Sequence, residues 1–193
     1  MRKLTYFVAT SVDGFIADPD GDGDYLNRWV EPGYAEDMFG EFPETVPTHV
    51  RAELGLEGAV GKHFDAVLMG RGTYDAGLRV GITSPYAHLD QYVASRSLGT
   101  SPDPAVEIVS GDVAARVRRL KEQPGLGVWL CGGADLAGQL VEEIDEFVVK
   151  TYPVFAGSGI PMSRAGFAPR ELELTDLKRY GGGQVVSTYV RRR

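Results

Sequence analysis

Three glycine-containing turns each follow a predicted strand, and their residue types suit contact with a phosphate group. The three runs are Ser11-Val12-Asp13-Gly14-Phe15-Ile16-Ala17, Gly70-Arg71-Gly72-Thr73-Tyr74 and Gly132-Gly133-Ala134-Asp135-Leu136. Glycine lets backbone amides approach phosphate oxygens, and arginine can bind a phosphate through two parallel hydrogen bonds. Ligands of open α/β sheets bind outside the carboxyl ends of the strands. On spacing alone, a phosphate-bearing ligand and plain tight turns explain the glycines equally well.

Other site patterns fail on inspection. Residues 18–24 open like a calcium-binding EF-hand loop, but Trp29 stands where the twelfth-position glutamate is required and Pro19 lies inside the loop. A flexible acidic turn is therefore preferred. The three histidines are scattered and there is one cysteine, Cys131, so no metal site is expected. One cysteine also allows no intramolecular disulfide. The chain also lacks a Rossmann glycine motif, a P-loop and the Gly-x-Ser-x-Gly context of a hydrolase.

The elements that position these turns alternate between strand and helix, which predicts an α/β fold with a mainly parallel central sheet. Predicted strands cover residues 4–9, 66–69, 91–95, 106–109 and 128–131. Parallel strands that are covered on both faces are nearly continuously apolar, as these are. Asp112 is a good N-cap for a helix that continues to Leu120, and a second helix is predicted over residues 134–143. His63 is also placed on a predicted helix.

The C-terminal third changes character. A long strand is predicted over residues 146–154, and the partly alternating segments 170–179 and 184–190 predict an antiparallel hairpin around three glycines. Residues 18–60 are the least regular part of the chain, with short helices expected around residues 25–30 and 35–39. In a compact domain a long irregular segment of this kind more often covers a site than links two domains. We predict one domain over residues 1–193.

Composition limits the partners. The chain of 193 residues has 43% hydrophobic residues and a formal net charge of -7, which argues against a broad nucleic-acid or anionic-membrane surface. No apolar run approaches the length of a membrane span, and no leader pattern is present. A cytoplasmic protein that acts on a small molecule, without nucleic-acid or membrane partners, is expected.

Four motifs in sequence resemble the dihydrofolate reductase superfamily. They are Ser11-Val12-Asp13-Gly14-Phe15-Ile16-Ala17, Met69-Gly70-Arg71-Gly72-Thr73-Tyr74, Leu130-Cys131-Gly132-Gly133-Ala134 and Thr151-Tyr152-Pro153-Val154-Phe155-Ala156-Gly157-Ser158-Gly159-Ile160-Pro161. More closely, the chain is similar to the C-terminal reductase domain of bifunctional riboflavin-biosynthesis deaminase-reductases and its stand-alone bacterial relatives. The resemblance implies a three-layer α/β/α fold, NADPH bound across the strand ends and a homodimer. It is weakest over residues 18–60.

The resemblance also implies cofactor contacts at matching positions. These positions are Ala9, Ile16, Gly70, Arg71, Thr73, Ser95, Arg96, Gly132, Gly133, Ala134 and Leu136. Ala9 and Ile16 are expected beside the nicotinamide, the glycine turns on the pyrophosphate, and Ser95 and Arg96 where NADPH is selected over NADH. Leu136 suits the hydrophobic core at least as well as a cofactor contact.

Asp13 is the candidate catalytic residue. The riboflavin-type reductases carry the same Asp-Gly pair near the meeting point of substrate and nicotinamide, although Asp-Gly is also a common turn pair. Dihydrofolate reductases use a carboxylate on the first substrate-side helix, and residues 24–31 offer no clear counterpart. We therefore expect an NADPH-dependent reductase of a C=O or C=N group on a small heterocyclic or sugar-linked substrate. A non-catalytic nucleotide-binding or sensing protein and a dihydrofolate reductase are the alternatives.

Overall fold

Eight strands form one central sheet. The computed structural model describes residues 1–192. The strands are β1 Leu4–Thr10, β2 Phe15–Ala17, β3 Phe64–Gly70, β4 Asp90–Ala94, β5 Val106–Val109, β6 Gly127–Gly132, β7 Glu146–Thr151, β8 Ile160–Pro161, β9 Leu172–Arg179 and β10 Val185–Arg191. The order in the large sheet is β5-β4-β3-β6-β1-β7-β10-β9, and β2 pairs with β8 in a small sheet.

The six strands from β5 to β7 are parallel. Their carboxyl ends therefore lie at one edge of the sheet, where the three glycine turns are. β10 then joins β7 in the antiparallel direction, and β9 pairs with β10 at the outer edge. The predicted mainly parallel sheet with an antiparallel C-terminal hairpin is confirmed.

Each face of the sheet is covered by its own hydrophobic cluster. Cluster A is built on the strand residues Phe7, Val67, Met69, Val93, Trp129 and Val148. Cluster B, on the opposite face, is built on Leu4, Tyr6, Val8, Leu68, Val128 and Leu130. Alternation of side chains between the two faces explains why a fully buried strand such as β1 is apolar at nearly every position.

Four α-helices complete the outer layers: α1 Pro32–Glu41, α2 Arg71–Arg79, α3 Val113–Glu122 and α4 Ala134–Gln139. α1 and α2 contribute Tyr34 and Tyr74 to cluster A. α3 and α4 contribute buried residues to cluster B. The predicted cap of α3 is confirmed, because Asp112 Oδ1 accepts a hydrogen bond from the amide of Ala115 at 2.9 Å. No helix within residues 1–192 combines the length and apolar character needed to span a bilayer.

The irregular segment is ordered around two buried polar side chains. It contains 3-10 helices at Asp24–Trp29, Pro43–Thr45 and Thr48–Val50 in addition to α1. The Glu44 carboxylate accepts hydrogen bonds from the amides of residues 62–64, directly before β3. The Arg51 guanidinium donates to the carbonyls of Pro43 and Ala59. These contacts fold the segment onto cluster A.

Several predicted boundaries were wrong. His63 lies in the bend before β3, not on a helix, because Glu44 binds the amides of this segment in a non-helical arrangement. α4 ends at Gln139, well before residue 143. β7 ends at Thr151, not residue 154, since its neighbour β1 ends at Thr10 and Pro153 has no amide hydrogen to continue a ladder. The two short strands β2 and β8 were not predicted.

Candidate functional site

Four neighbouring strands carry the predicted cofactor residues at one edge of the sheet. Ser95 follows β4, Gly70 ends β3, Gly132 ends β6 and Ser11 follows β1. In the sheet these strands lie in the order β4-β3-β6-β1. Three gaps between strands at about 4.8 Å each give a line of roughly 14 Å. Such a line suits an extended ligand that crosses the strand ends.

The turns after β3 and β6 face each other and are lined by backbone. A Cβ atom on Gly70 would lie 3.1 Å from the carbonyl oxygen of Gly132 and 3.9 Å from Cα of Gly133. Gly132 and Gly133 have φ angles of 133° and 101°, which residues that carry a Cβ atom rarely adopt. The two turns therefore pack backbone against backbone, and a side chain at Gly70 or Gly133 would push them apart or strain them. The surface where the two turns meet, called the crevice below, presents backbone rather than side chains.

Polar donors stand on the β3 and β4 side of the crevice. α2 begins directly after Gly70, so its first backbone amides have no partner within the helix. Arg71 uses Nε to donate to Asp75 Oδ1 at 2.6 Å, and Thr73 is partly buried in the first turn. These groups can complement a phosphate that is seated against the turn.

The turn after β4 holds Ser95 and Arg96. Ser95 Oγ accepts hydrogen bonds from the amides of Ser97 and Leu98 at 3.3 and 3.0 Å, which fixes the turn, and its hydroxyl donates to no group in the described part of the chain. Arg96 is exposed, and no residue in the described part of the chain forms an ion pair or hydrogen bond with it. Its guanidinium is therefore available to an anionic ligand.

The apolar residues predicted to contact the cofactor fall on two faces. Ala9 packs against cluster A, whereas Ile16 packs against cluster B. Ala134 and Leu136 are buried at 3% and 4% exposure, and Leu136 belongs to cluster B. Leu136 is thus a core residue that lies beneath the Gly70 turn. The structure brings the glycines, Arg71, Thr73 and Ser95 to one edge but does not bring Ile16 to the face of Ala9.

Asp13 connects the loop after β1 to the segment that precedes β8. Its Oδ1 accepts hydrogen bonds from Ser11 Oγ at 2.7 Å and from the Ala156 amide at 3.0 Å, and its Oδ2 accepts one from the Gly157 amide at 2.7 Å. Desolvation alone would raise the pKa of this carboxyl, but the hydrogen bonds outweigh it and lower the pKa to about 2. Asp13 is thus a carboxylate at neutral pH and supplies no proton. Its catalytic role stays a prediction.

We expect Asp13→Asn to loosen this loop, since an amide nitrogen would then face one of the backbone N–H donors. kcat/KM should fall about tenfold through misplacement of neighbouring groups. Because the folded pKa is lowered, the stability that the wild-type carboxylate adds is complete above its unfolded pKa of about 4 and is lost as the pH falls toward 2. Thermal melts between pH 2 and 6 should show that the Tm of the wild type falls as the pH decreases and that the Tm of the variant falls less. Parallel melting curves would contradict this role.

Sequence reasoning missed Lys150, a cation near the end of β7. Its Nζ lies 4.0 Å from the centroid of the Phe7 ring in cluster A. The available signal was a lysine that directly follows three apolar residues of a predicted strand. Two further side chains that could donate a proton are bonded or exposed: the Tyr152 hydroxyl donates to Tyr34 at 3.1 Å, and Asp24 is exposed. No group of three or more His, Cys, Asp or Glu in residues 1–192 is arranged to hold a metal ion.

A sequence model of the RibD C-terminal domain matches residues 2–186. The chain belongs to this family. Among curated relatives, it is 30% identical to the uncharacterized protein YwjB of Bacillus subtilis (strain 168) over 182 residues, with 93% of each chain covered. It is 21% identical to the uncharacterized protein YyaP of the same organism, with 97% of this chain and 94% of YyaP covered.

Solved structures share the fold of this RibD C-terminal domain. A Shewanella sp. PV-4 protein whose name assigns it to riboflavin biosynthesis superposes with a TM-score of 0.73 at 24% identity, over 100% of both chains. The Thermotoga maritima diaminohydroxyphosphoribosylaminopyrimidine deaminase/5-amino-6-(5-phosphoribosylamino)uracil reductase gives 0.66 at 16% identity, over 99% of this chain and 57% of that one. Enterococcus faecalis dihydrofolate reductase in complex with NADP(H) gives 0.65 at 13% identity, over 99% and 97%. The dihydrofolate reductase-like fold is therefore confirmed.

Proposed function

We propose that this protein is an NADPH-dependent reductase that acts on a C=O or C=N group of a small heterocyclic or sugar-linked substrate. The observation that carries the proposal is the close packing of the two glycine turns, because a Cβ atom at Gly70 would lie only 3.1 Å from the Gly132 carbonyl oxygen and backbone therefore lines the surface where the turns meet. Phosphate groups need such close access to backbone amides. Membership of the RibD C-terminal domain family and the reductases among the structural neighbours support the same function.

The donors around the crevice fit an extended dinucleotide. Gly70, Gly132 and Gly133 would hold the pyrophosphate, together with the amides at the start of α2. Arg71, Thr73 and Ser95 would hold the adenosine side, and Ala9 would lie beside the nicotinamide. When bound, NADPH would supply a hydride to the substrate. The chain's own residues orient the two ligands and keep water away from the reacting carbon.

Arg96 should distinguish NADPH from NADH. An exposed guanidinium without a protein partner can form charge-assisted hydrogen bonds with the additional 2′-phosphate of NADPH. Arg96→Ala is expected to raise the KM for NADPH by roughly 10- to 100-fold, since hydrogen bonds to charged groups contribute about 1.5–3 kcal/mol. The KM for NADH should change less than twofold. Steady-state kinetics with both cofactors would measure the difference.

Arg119→Ala serves as the matched control, because Arg119 is an exposed arginine on α3, which packs on cluster B. It should leave both KM values unchanged. Equal losses for NADPH and NADH in the Arg96 variant would contradict a contact with the 2′-phosphate.

A nucleotide-binding protein without turnover is the second candidate. It is favoured by the state of two side chains that could donate a proton: Asp13 is held as a carboxylate, and the Tyr152 hydroxyl is bonded to Tyr34. Titrating NADPH and following its fluorescence tests the shared first step. Lack of binding at micromolar NADPH would overturn both candidates, whereas tight binding without oxidation of NADPH by any carbonyl or imine tested would favour the second.

We also propose a homodimer. β9 is the outer edge strand, and Leu174 and Leu177 are about half exposed on it. Half-exposed leucines on an outer strand favour a contact with another chain. Light scattering should give a mass of two chains, and a monomer at micromolar concentration would refute this.

A further inference from the structure

Lys150 places an ammonium group beside Ala9, the residue that is predicted to lie next to the nicotinamide. It lies in register with Ala9 on β1 and with Val186 on β10. Phe7, whose ring lies 4.0 Å from Lys150 Nζ, is 4% exposed within cluster A. The cation therefore lies at the crevice end of β7 on the face of the sheet that Ala9 shares.

Within residues 1–192 the ammonium group has no anionic partner. No carboxylate or carbonyl within residues 1–192 accepts a hydrogen bond from Lys150 Nζ. The titratable group that acts on it is the Cys131 thiol, and burial raises the pKa of that thiol to about 12, so Cys131 is uncharged at neutral pH. A partly exposed cation whose contact in the protein is a ring rather than a carboxylate is available to a ligand.

Three residues at this position are partly accessible to solvent. Six of the seven residues of β1 are buried, and Ala9 is the exception. Cys131 near the end of β6 and Lys150 are partly exposed as well, and both lie on the cluster A face. The rings of Phe7, Trp129 and Tyr86 pack edge to face around this region. Such walls suit a flat ring, with a polar atom directed at Nζ.

We propose that Lys150 contacts the reacting C=O or C=N group of a substrate that carries a flat heterocyclic ring, and donates a proton to its oxygen or nitrogen. This rests on the reductase function proposed above. In the reaction the substrate carbon gains a hydride, the π bond to oxygen or nitrogen breaks, and that atom takes the proton from the ammonium. The cofactor is oxidised, and proton uptake from water restores Lys150.

The environment of Lys150 suits proton donation near neutral pH. Burial lowers its pKa from 10.5 to about 8, and the Cys131 thiol acts in the opposite direction. General acids work best when their pKa lies close to the working pH. The other titratable groups that pack in or against cluster A are tyrosines and two histidines, namely Tyr25, Tyr34, Tyr74, Tyr86, Tyr152, Tyr180, His63 and His88. kcat should therefore fall as the pH rises through about 8, when the ammonium loses its proton.

Direct titration tests this without turnover. Lysines would be reductively methylated with ¹³C-formaldehyde, and the Lys150 signal would be identified by its absence from Lys150→Met. We expect its NMR shift to titrate near pH 8 and to move when NADP⁺ is added together with 5-amino-6-(5-phosphoribosylamino)uracil or dihydrofolate as probes. A midpoint near 10.5, or a signal that neither probe moves, would overturn the proposal.

Variants supply an independent readout. Lys150→Met should lower kcat about 100-fold, the scale of general acid catalysis, and leave the Kd for NADPH within about twofold. Lys150→Arg keeps the charge but holds its proton, so its kcat should stay low and lose the descent above pH 8. Lys178→Met on β9 is the control and should behave as the wild type.

Lys150→Met should lower kcat but raise the thermal stability of the protein. Because the folded pKa of Lys150 is lowered, protonation costs stability below about pH 8 and not above the unfolded pKa. Lys150→Met is expected to raise Tm at pH 7, with the gain vanishing by about pH 10.5.

If wild-type protein binds no NADPH, the reductase function fails. If NADPH binds and Lys150→Met keeps wild-type kcat, the role of Lys150 alone fails.

Discussion

Gly133→Val should raise the Kd for NADPH about 1000-fold. The φ angle of Gly133 is 101°, a conformation that is strongly unfavourable for a β-branched residue. A Cβ here would also lie 3.9 Å from Cα of Gly70, so the branched methyl groups would occupy the crevice between β3 and β6. Loss of two charge-assisted contacts to a phosphate, at about 1.5–3 kcal/mol each, amounts to a factor of this size.

The fold should survive this change with a moderate loss of stability. One residue forced into a rare backbone conformation costs on the order of 1–3 kcal/mol. Gly166→Val is the matched control, because a Cβ at Gly166 meets no atom within 4 Å. It should bind NADPH as the wild type does. Fluorescence titration and thermal melting of both variants separate lost binding from lost folding, and unchanged binding by folded Gly133→Val would place the cofactor elsewhere.

The parts of the fold that the sequence predicted are those fixed by local patterns. The apolar run in β3 and the glycine turn of the C-terminal hairpin are readable because neighbours in sequence determine them. The cap Asp112 is readable for the same reason. The strand ends follow from these elements, since parallel strands bring their carboxyl ends to one edge.

Contacts between distant residues could not be predicted in this way. Glu44 binds amides about 20 residues further along the chain, and nothing in the local sequence around it indicates that partner. β8 has two residues and pairs with β2 across more than 140 positions, so it has no period to detect. Lys150 became a candidate only when the register placed it beside Ala9. The glycine turns, which contribute backbone to the site, could thus be predicted from the sequence. The side chain of Lys150 could not, because its neighbours come from distant strands.

Glu44→Ala should have the largest effect on stability among the variants considered, with a loss of about 3 kcal/mol. Glu44 is 1% exposed, and its carboxylate accepts hydrogen bonds from the amides of Lys62, His63 and Phe64 at 3.2, 2.7 and 2.9 Å. Alanine would leave these donors without their acceptor and open a cavity beside the start of β3. Denaturant unfolding measures the difference.

Two comparisons make the Glu44 prediction specific. Glu44→Gln keeps one oxygen for His63 and Phe64 but turns an amide nitrogen toward the Lys62 N–H, so a loss of about 1 kcal/mol is expected. Glu53→Ala, at an exposed position of the same segment, should cost nothing measurable. Glu44 contacts the chain at the first residue of β3, whereas the crevice lies after the last residue of that strand. Folded Glu44→Ala should therefore retain the wild-type Kd for NADPH. Weakened binding in that variant would show that the irregular segment contributes to the cofactor site, whereas a loss of stability below 1 kcal/mol would show that water replaces the carboxylate.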